Sequence, residues 1–116
     1  MKIEDIARVC HEANKAYCES LGDNSQLSWI LSPPWQIESS IAGVKFRLKN
    51  PHGTPEETHQ NWIRDRIKAG WKYSSIKDPE KKEHPNLVPW DNLPELQRVK
   101  DVLFVGIVDC LKEFLK

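Results

Sequence analysis

The sequence has neither a long apolar run nor an apolar N-terminal segment. Its longest apolar stretch, residues 102–108, is much shorter than the roughly 18 residues that a membrane-spanning helix needs. Residues 1–10 are interrupted by charges and lack the hydrophobic centre of a secretion signal. We therefore expect no membrane partner and a cytoplasmic location.

Neither sign of charge is in excess, because 17 lysines and arginines balance 17 aspartates and glutamates. Domains that bind duplex nucleic acid are usually strongly basic, since they neutralise many phosphates. We therefore expect no duplex nucleic acid as a partner. A small anionic ligand stays compatible with this balance, because it needs only a few local cations.

Cysteine is scarce, and the common catalytic patterns are missing. Cys10, Cys18 and Cys110 are odd in number. On one helix, Cys10 and Cys18 would be separated by about 12 Å, which is beyond the reach of a disulfide. No CxxC or HxxxH pair, serine elbow or glycine-rich phosphate loop occurs. We expect free thiols, no metal, no cofactor and no enzymatic activity.

Apolar residues at three- and four-residue spacing predict four helices. We expect them at about residues 3–21, 32–48, 54–69 and 94–116. The third has the clearest start, with Thr54 as N-cap, Pro55 in the first turn and Glu57 at the capping-box position. The expected fold class is mainly α, a four-helix domain with one long ordered loop and two short strands.

The same periodicity predicts which faces of the last two helices are buried. In the third helix, we expect Ile63 and Ile67 to face the core, while His59, Trp62 and Arg66 form the other edge. In the last helix, the stripe expected to be buried is Leu96, Val99, Leu103, Ile107, Cys110 and Phe114. Because the middle of this helix is apolar on every side, we expect it to be the most enclosed of the four.

Residues 70–90, "GWKYSSIKDPEKKEHPNLVPW", separate the last two predicted helices. Structureless loops longer than about 12 to 15 residues are uncommon inside compact domains. We therefore interpret this segment as an ordered loop, with short strands near residues 71–73 and 86–88.

The second half of the chain resembles the ryanodine-receptor repeat (RyR repeat) domain. The shared pattern is a histidine, a tryptophan three residues later, Gly-Trp-x-Tyr, an aspartate turn, a basic stretch, and His-Pro-x-Leu-Val-Pro followed by an aromatic. These residues are His59, Trp62, Gly70, Trp71, Tyr73, Asp78, Lys81, Lys82, His84, Pro85, Leu87, Val88, Pro89 and Trp90. Two features depart from the family: Trp90 replaces the usual tyrosine, and the extended proline-rich approach of the receptor repeats is absent.

The resemblance implies an RyR-repeat-like fold with one compact domain. Residues 51–116 would form the repeat, and residues 1–50 would form a helical leader that packs on it. This leader is similar to that of stand-alone bacterial and phage members. A phage-encoded member would act in the host cytoplasm.

The resemblance also implies non-enzymatic binding of a small nucleotide-derived ligand, such as an adenine nucleotide, an ADP-ribose-like compound or a cyclic nucleotide signal. A phage protein of this kind would be an anti-defence sponge for a host immune signal. The residues expected to contact the ligand are Trp62, Arg66, His59, Trp71, Tyr73, Lys82, His84 and Trp90. Receptor repeats occur as face-to-face pairs, so a chain with one copy is expected to form a homodimer.

A second hypothesis is a protein-interaction or assembly module with no small ligand. Trp62 would then be a core aromatic, and Arg66 would pair with Asp65 or Glu57. Full burial of Trp62 would favour this hypothesis, whereas an open pocket beside it would favour ligand binding.

Several aromatic residues also have a purely structural interpretation. His84, which is extended because a proline follows it, is expected to be a loop histidine bonded to a backbone carbonyl, although it could also donate to a ligand. Trp71 and Tyr73 would anchor the loop on the core. Trp29 and Trp35 would pack at the edge of the core.

Overall fold

The computed structural model describes residues 1–116 and contains four α-helices and two short strands. The helices are α1 (Ile3–Ser20), α2 (Pro34–Lys49), α3 (Pro55–Lys68) and α4 (Glu95–Leu111), and the strands are β1 (Lys72–Tyr73) and β2 (Glu83–His84). Single 3-10 turns lie at Trp29–Leu31, Trp90–Asn92 and Lys112–Phe114. The predicted fold class is confirmed. No helix has both the length and the hydropathy that crossing a bilayer requires.

The helix ends follow the local sequence. At the start of α3, the Thr54 hydroxyl accepts a hydrogen bond from the Glu57 backbone N–H at 3.3 Å, as expected for an N-cap. Helix α2 begins directly after Pro33, with Pro34 in its first turn. Gly22 and Gly70 follow α1 and α3 with φ of +87° and +91°, a conformation that glycine adopts without steric cost. These boundaries lie close to the predicted ones.

The apolar core lies between α1, α2 and α4. Its fully buried members are Ile6, Ala7, Cys10, Trp29, Val44 and Val108. The predicted stripe of α2 is confirmed, because Ile37, Ile41 and Leu48 pack against this cluster around Val44. Trp29, which was predicted at the edge of the core, belongs to the core cluster itself.

The predicted inner face of α4 is right for Ile107, which packs against the core, but wrong for most of its other residues. Leu96, Val99 and Phe114 are 57%, 38% and 54% exposed, whereas Val105 and Val108 are buried. Cys110 is exposed as well. Because this helix is apolar on more than one side, the spacing of its apolar residues could not determine which side α1 covers.

The predicted orientation of α3 is also wrong. Ile67 is 60% exposed, while His59 and Arg66, on the opposite edge, are 3% and 7% exposed. The inner edge of α3 therefore carries polar and aromatic side chains. Helix α3 packs on α2 and α4, but it lies outside the apolar cluster that these two helices share with α1.

The segment between α3 and α4 is an ordered loop built on a two-residue parallel ladder. Lys72 pairs with Glu83, and Tyr73 pairs with His84. The second strand thus lies before the predicted range 86–88. The loop is held to the end of α3 by the Lys82 amine, which donates to the Ala69 carbonyl at 2.8 Å.

Candidate functional site

A cavity of about 220 Å³ lies between α3 and the other three helices, and the loop closes one side of it. Polar and charged side chains predominate among its lining residues. A typical pocket for a small molecule has a volume of about 300 to 1,000 Å³ and a largely apolar wall. This cavity is therefore small, and polar or charged residues outnumber apolar ones in its wall, which suits a polar ligand or one that extends beyond it.

Arg66 is the most unusual side chain in the cavity wall. Its guanidinium nitrogens Nε and Nη1 are fully buried and have no hydrogen-bond partner. The guanidinium carbon lies 5.2 Å from the Trp35 ring centre and 5.6 Å from that of Trp71. Burial lowers the pKa of Arg66, with the nearby Asp65 acting in the opposite direction. Since an arginine stays charged in proteins, a cation is held here without an anion.

The interaction hypothesis required Arg66 to pair with Asp65 or Glu57. None of the ion pairs in the structure includes Arg66. A buried charge without a partner costs free energy, and native proteins leave few buried polar groups unsatisfied. Nε and Nη1 of Arg66 are therefore exceptions to this rule.

Trp62 lies one helical turn before Arg66 and also lines the cavity. It is half-buried, so it is not the core aromatic that the interaction hypothesis required. Its ring stands edge-on to His84, with ring centres 5.2 Å apart, and lies roughly parallel to His59 at 5.9 Å. Trp62 and its neighbours thus form an aromatic wall beside the buried guanidinium.

His84 has a defined tautomer. Its Nδ1 atom accepts a hydrogen bond from the Asn86 backbone N–H at 3.0 Å, so the proton of the neutral ring is on Nε2. Burial lowers the pKa of His84 to about 4, and the charges of Lys77 and Lys100 add to this effect. The ring is therefore a neutral donor at physiological pH. The expected bond from His84 to a backbone carbonyl is wrong.

The histidine that fastens the loop is His59 instead. Its Nε2 atom lies 2.8 Å from the Val88 carbonyl oxygen, which requires a proton on Nε2. Its Nδ1 atom faces Asp101, with 3.7 Å between Nδ1 and Oδ2. Burial lowers the pKa of His59 and raises that of Asp101 to about 7. Near neutral pH, His59 is therefore mainly neutral, while Asp101 is partly protonated.

An open groove of about 520 Å³ adjoins the cavity on the outside. Trp35, Arg66 and Trp71 line both spaces, so they form the boundary between them. The Trp35 and Trp71 ring centres are 4.8 Å apart. A ligand bound at Arg66 would thus have room on either side of the guanidinium.

The structure brings most of the predicted ligand residues together. The cavity is lined by His59, Trp62, Arg66, Trp71 and His84. Trp71 is buried as well.

The other three predicted residues lie elsewhere. Lys82 lines only the outer groove, Tyr73 is 53% exposed on β1, and Trp90 packs against Arg98, 5.2 Å from its ring centre. Tyr73 and Trp90 line neither space. The family pattern thus combines residues that face the cavity with residues that hold the loop.

The sequence analysis missed many of the cavity residues, and four of them are important for the site. They are Trp35, Lys77, Lys100 and Asp101. Trp35 was assigned to the edge of the core, but it forms the boundary beside Arg66 instead. Asp101 could have been identified from its position on α4. It lies three residues before Phe104, and therefore on the side of the helix that packs inward. Lys77 had no signal of its own, because only the folding of the loop turns it towards the cavity.

Comparison with known families agrees with this geometry. The family model described as the RyR domain matches residues 52–115, which contain α3, the loop and α4. No solved structure matches the chain. The matched residues make up more than half of the chain, and they include all eight predicted ligand residues. The protein therefore belongs to the RyR domain family.

Proposed function

We propose that this protein binds a small, planar, anionic ligand derived from a nucleotide. The observation that carries the proposal is the buried guanidinium of Arg66, whose Nε and Nη1 have no partner. A phosphate group there would accept charge-assisted hydrogen bonds from the guanidinium, which is the contact for which arginine is suited. Binding would also remove the cost of an unpaired buried charge.

The aromatic wall supports a planar group beside that anion. Trp62 is half-buried in the cavity wall, and a base that stacks on an exposed aromatic ring gains about 1 to 3 kcal/mol. The His84 Nε2–H adds a neutral donor in the same wall. Stacking, a charged fork and a neutral donor are the elements that recognise a base, a phosphate and a sugar hydroxyl.

We further propose that the ligand is bound without turnover. Burial raises the pKa of Cys10, the thiol in the cavity wall, to about 12, which keeps it in its non-nucleophilic form. A protein that binds a signal without consuming it lowers the free concentration of that signal. This is how a sponge for a host immune signal would work.

The test is isothermal titration of the folded protein with ATP, ADP-ribose and cyclic dinucleotides. We expect at least one of them to bind, and Arg66→Gln to weaken that binding tenfold or more. Arg64→Gln is the matched control, since Arg64 is exposed on the same helix and lines neither space. No heat of binding across the panel, or equal binding by both variants, would contradict the proposal.

We also propose a homodimer. On α4, Leu96, Val99 and Val102 are 57%, 38% and 54% exposed, and their spacing places them along one side of the helix. A twofold pair would cover the same stripe on both subunits. The two neighbours Val105 and Val108 already belong to the buried part of the chain's own fold.

A further inference from the structure

Two lysines in the cavity wall have no role in the site described so far. Lys77 comes from the loop and Lys100 from α4, and both line the cavity. Neither takes part in an ion pair. Lys77 is half-buried, and this burial lowers its pKa. Two long cationic side chains from different elements thus meet in a polar cavity of a chain with no net charge.

The two lysines form a group separate from Arg66. Their charges lower the pKa of His84, whereas the only charged group that affects the pKa of Arg66 is Asp65. Lys100 precedes Asp101, which faces His59 at 3.7 Å. His59 lies seven positions before Arg66 on α3, which corresponds to a rise of about 10 Å along the helix. The lysines therefore act on His84, whereas Arg66 lies between Trp35 and Trp71.

Nearby carboxylates cancel little of this charge. Asp101 faces the cavity, but burial raises its pKa to about 7, so much of it is uncharged at neutral pH. Asp23 is ionised, since hydrogen bonds from Ser25 lower its pKa, and its charge acts on both lysines. Asp23 forms no ion pair with them, however, and it does not line the cavity. The wall that a ligand meets at this end is therefore cationic.

We propose that Lys77 and Lys100 form a second anion subsite, with the neutral His84 ring beside it. The inference rests on the proposed function and narrows it, because the ligand would then carry two separate anionic groups. One would bind Arg66 between Trp35 and Trp71, and the other would bind the lysines. A planar group between them would lie against Trp62. The ligand class is thus a bis-anion, such as a nucleotide with separated phosphates, and a single terminal phosphate would fill only half of the site.

Inorganic phosphate is a suitable probe, because it can occupy each subsite on its own. Its effect is measured as the rise in melting temperature at constant ionic strength, with chloride as the reference salt. Independent sites contribute additively to the stabilisation. We therefore expect the rise to fall to about half in Arg66→Gln and in Lys77→Gln/Lys100→Gln, and to vanish when all three are changed. Lys81→Gln, an exposed loop lysine outside the cavity, should leave the rise unchanged.

The other outcomes separate the two proposals. If Arg66→Gln abolishes the rise and the double lysine variant keeps it in full, the second subsite is wrong and the proposed function stands. If phosphate has no effect on the wild type, or none of these variants changes its effect, both proposals fail. If the double variant does not fold, as judged by circular dichroism without phosphate, Lys100→Gln alone should remove part of the rise. A full rise in Lys100→Gln would then overturn the second subsite.

Discussion

The guanidinium of Arg66 lies 5.2 Å from the ring of Trp35, although the two residues come from different helices and only Arg66 lies in the matched RyR region. The leader segment therefore supplies part of the site. Cation–π contact with Trp35 and Trp71 offsets some of the cost of burying the charge, by about 0.5 to 2 kcal/mol for each ring. It leaves the N–H groups at Nε and Nη1 unpartnered, so a full offset requires an anion.

Replacing Arg66 should therefore not harm the ligand-free protein. Arg66→Met removes the unpartnered buried N–H groups and keeps much of the aliphatic volume. We expect the free energy of unfolding to stay the same or to rise by up to about 2 kcal/mol, as measured by urea denaturation. A loss of more than about 2 kcal/mol would mean that Arg66 has a structural partner and is not reserved for a ligand.

Trp62 should matter for binding and little for folding. If it stacks on a base, Trp62→Ala should weaken the affinity by about 1 to 3 kcal/mol and leave the circular dichroism spectrum unchanged. Trp90→Ala is the control, since Trp90 lines neither the cavity nor the groove. Loss of the fold in Trp62→Ala would instead identify a core tryptophan, whose removal costs about 3 to 5 kcal/mol.

The sequence predicted where α3 begins and ends, but it did not predict which side of α3 faces inward. Thr54, Pro55 and Gly70 act through local backbone geometry, so the ends of α3 were predictable. The inward edge of α3 was not, because the burial of His59 depends on an acceptor, the Val88 carbonyl, that comes from a distant loop. Ranking residues by hydrophobicity places isoleucine in the core and histidine outside it. This ranking fails when the histidine ring has a hydrogen-bond acceptor in the interior.

The candidate site was predictable only in part, for the same reason. The family pattern identified Trp62 and His84, and helical spacing placed Arg66 beside Trp62. Trp35 precedes the matched region, and its role arises only when α2 packs against α3. The swapped roles of the two histidines likewise depend on which carbonyl each ring reaches in the folded chain.

Asp101 should give the stability of the protein a specific pH dependence. Its pKa is raised by burial from 3.8 to about 7, so the folded protein holds the proton more tightly than the unfolded chain does. The cost of ionising it is fully present above pH 7 and disappears as the pH falls towards 4. Asp101→Asn should therefore stabilise the protein at pH 8, by at most about 4 kcal/mol.

The comparison of Asp101→Asn with the wild type isolates this effect. His84, whose pKa is lowered to about 4, destabilises both proteins as the pH falls from about 6.5 to 4, so its contribution cancels in the difference. Thermal or urea unfolding at pH 8 and pH 5 should show the difference shrinking at the lower pH. An equal difference at both values would show that Asp101 does not titrate in this range.

The proposed homodimer predicts a mass of about 27 kDa, twice the 13.5 kDa of one chain. Light scattering coupled to gel filtration measures this directly. Val99→Lys places a charge in the exposed α4 stripe and should shift the protein to the monomer, while Lys112→Glu on the following turn should not. A monomer mass that does not change as the concentration rises rules the dimer out.

The account rests on a ligand anion at Arg66, and a crystal structure grown with metabolites extracted from cells tests this most directly. It predicts electron density for an anionic group within hydrogen-bond distance of the Arg66 guanidinium, continuous with a planar group against Trp62. A cavity that contains only water, with Arg66 turned to pair with Asp65, would contradict it.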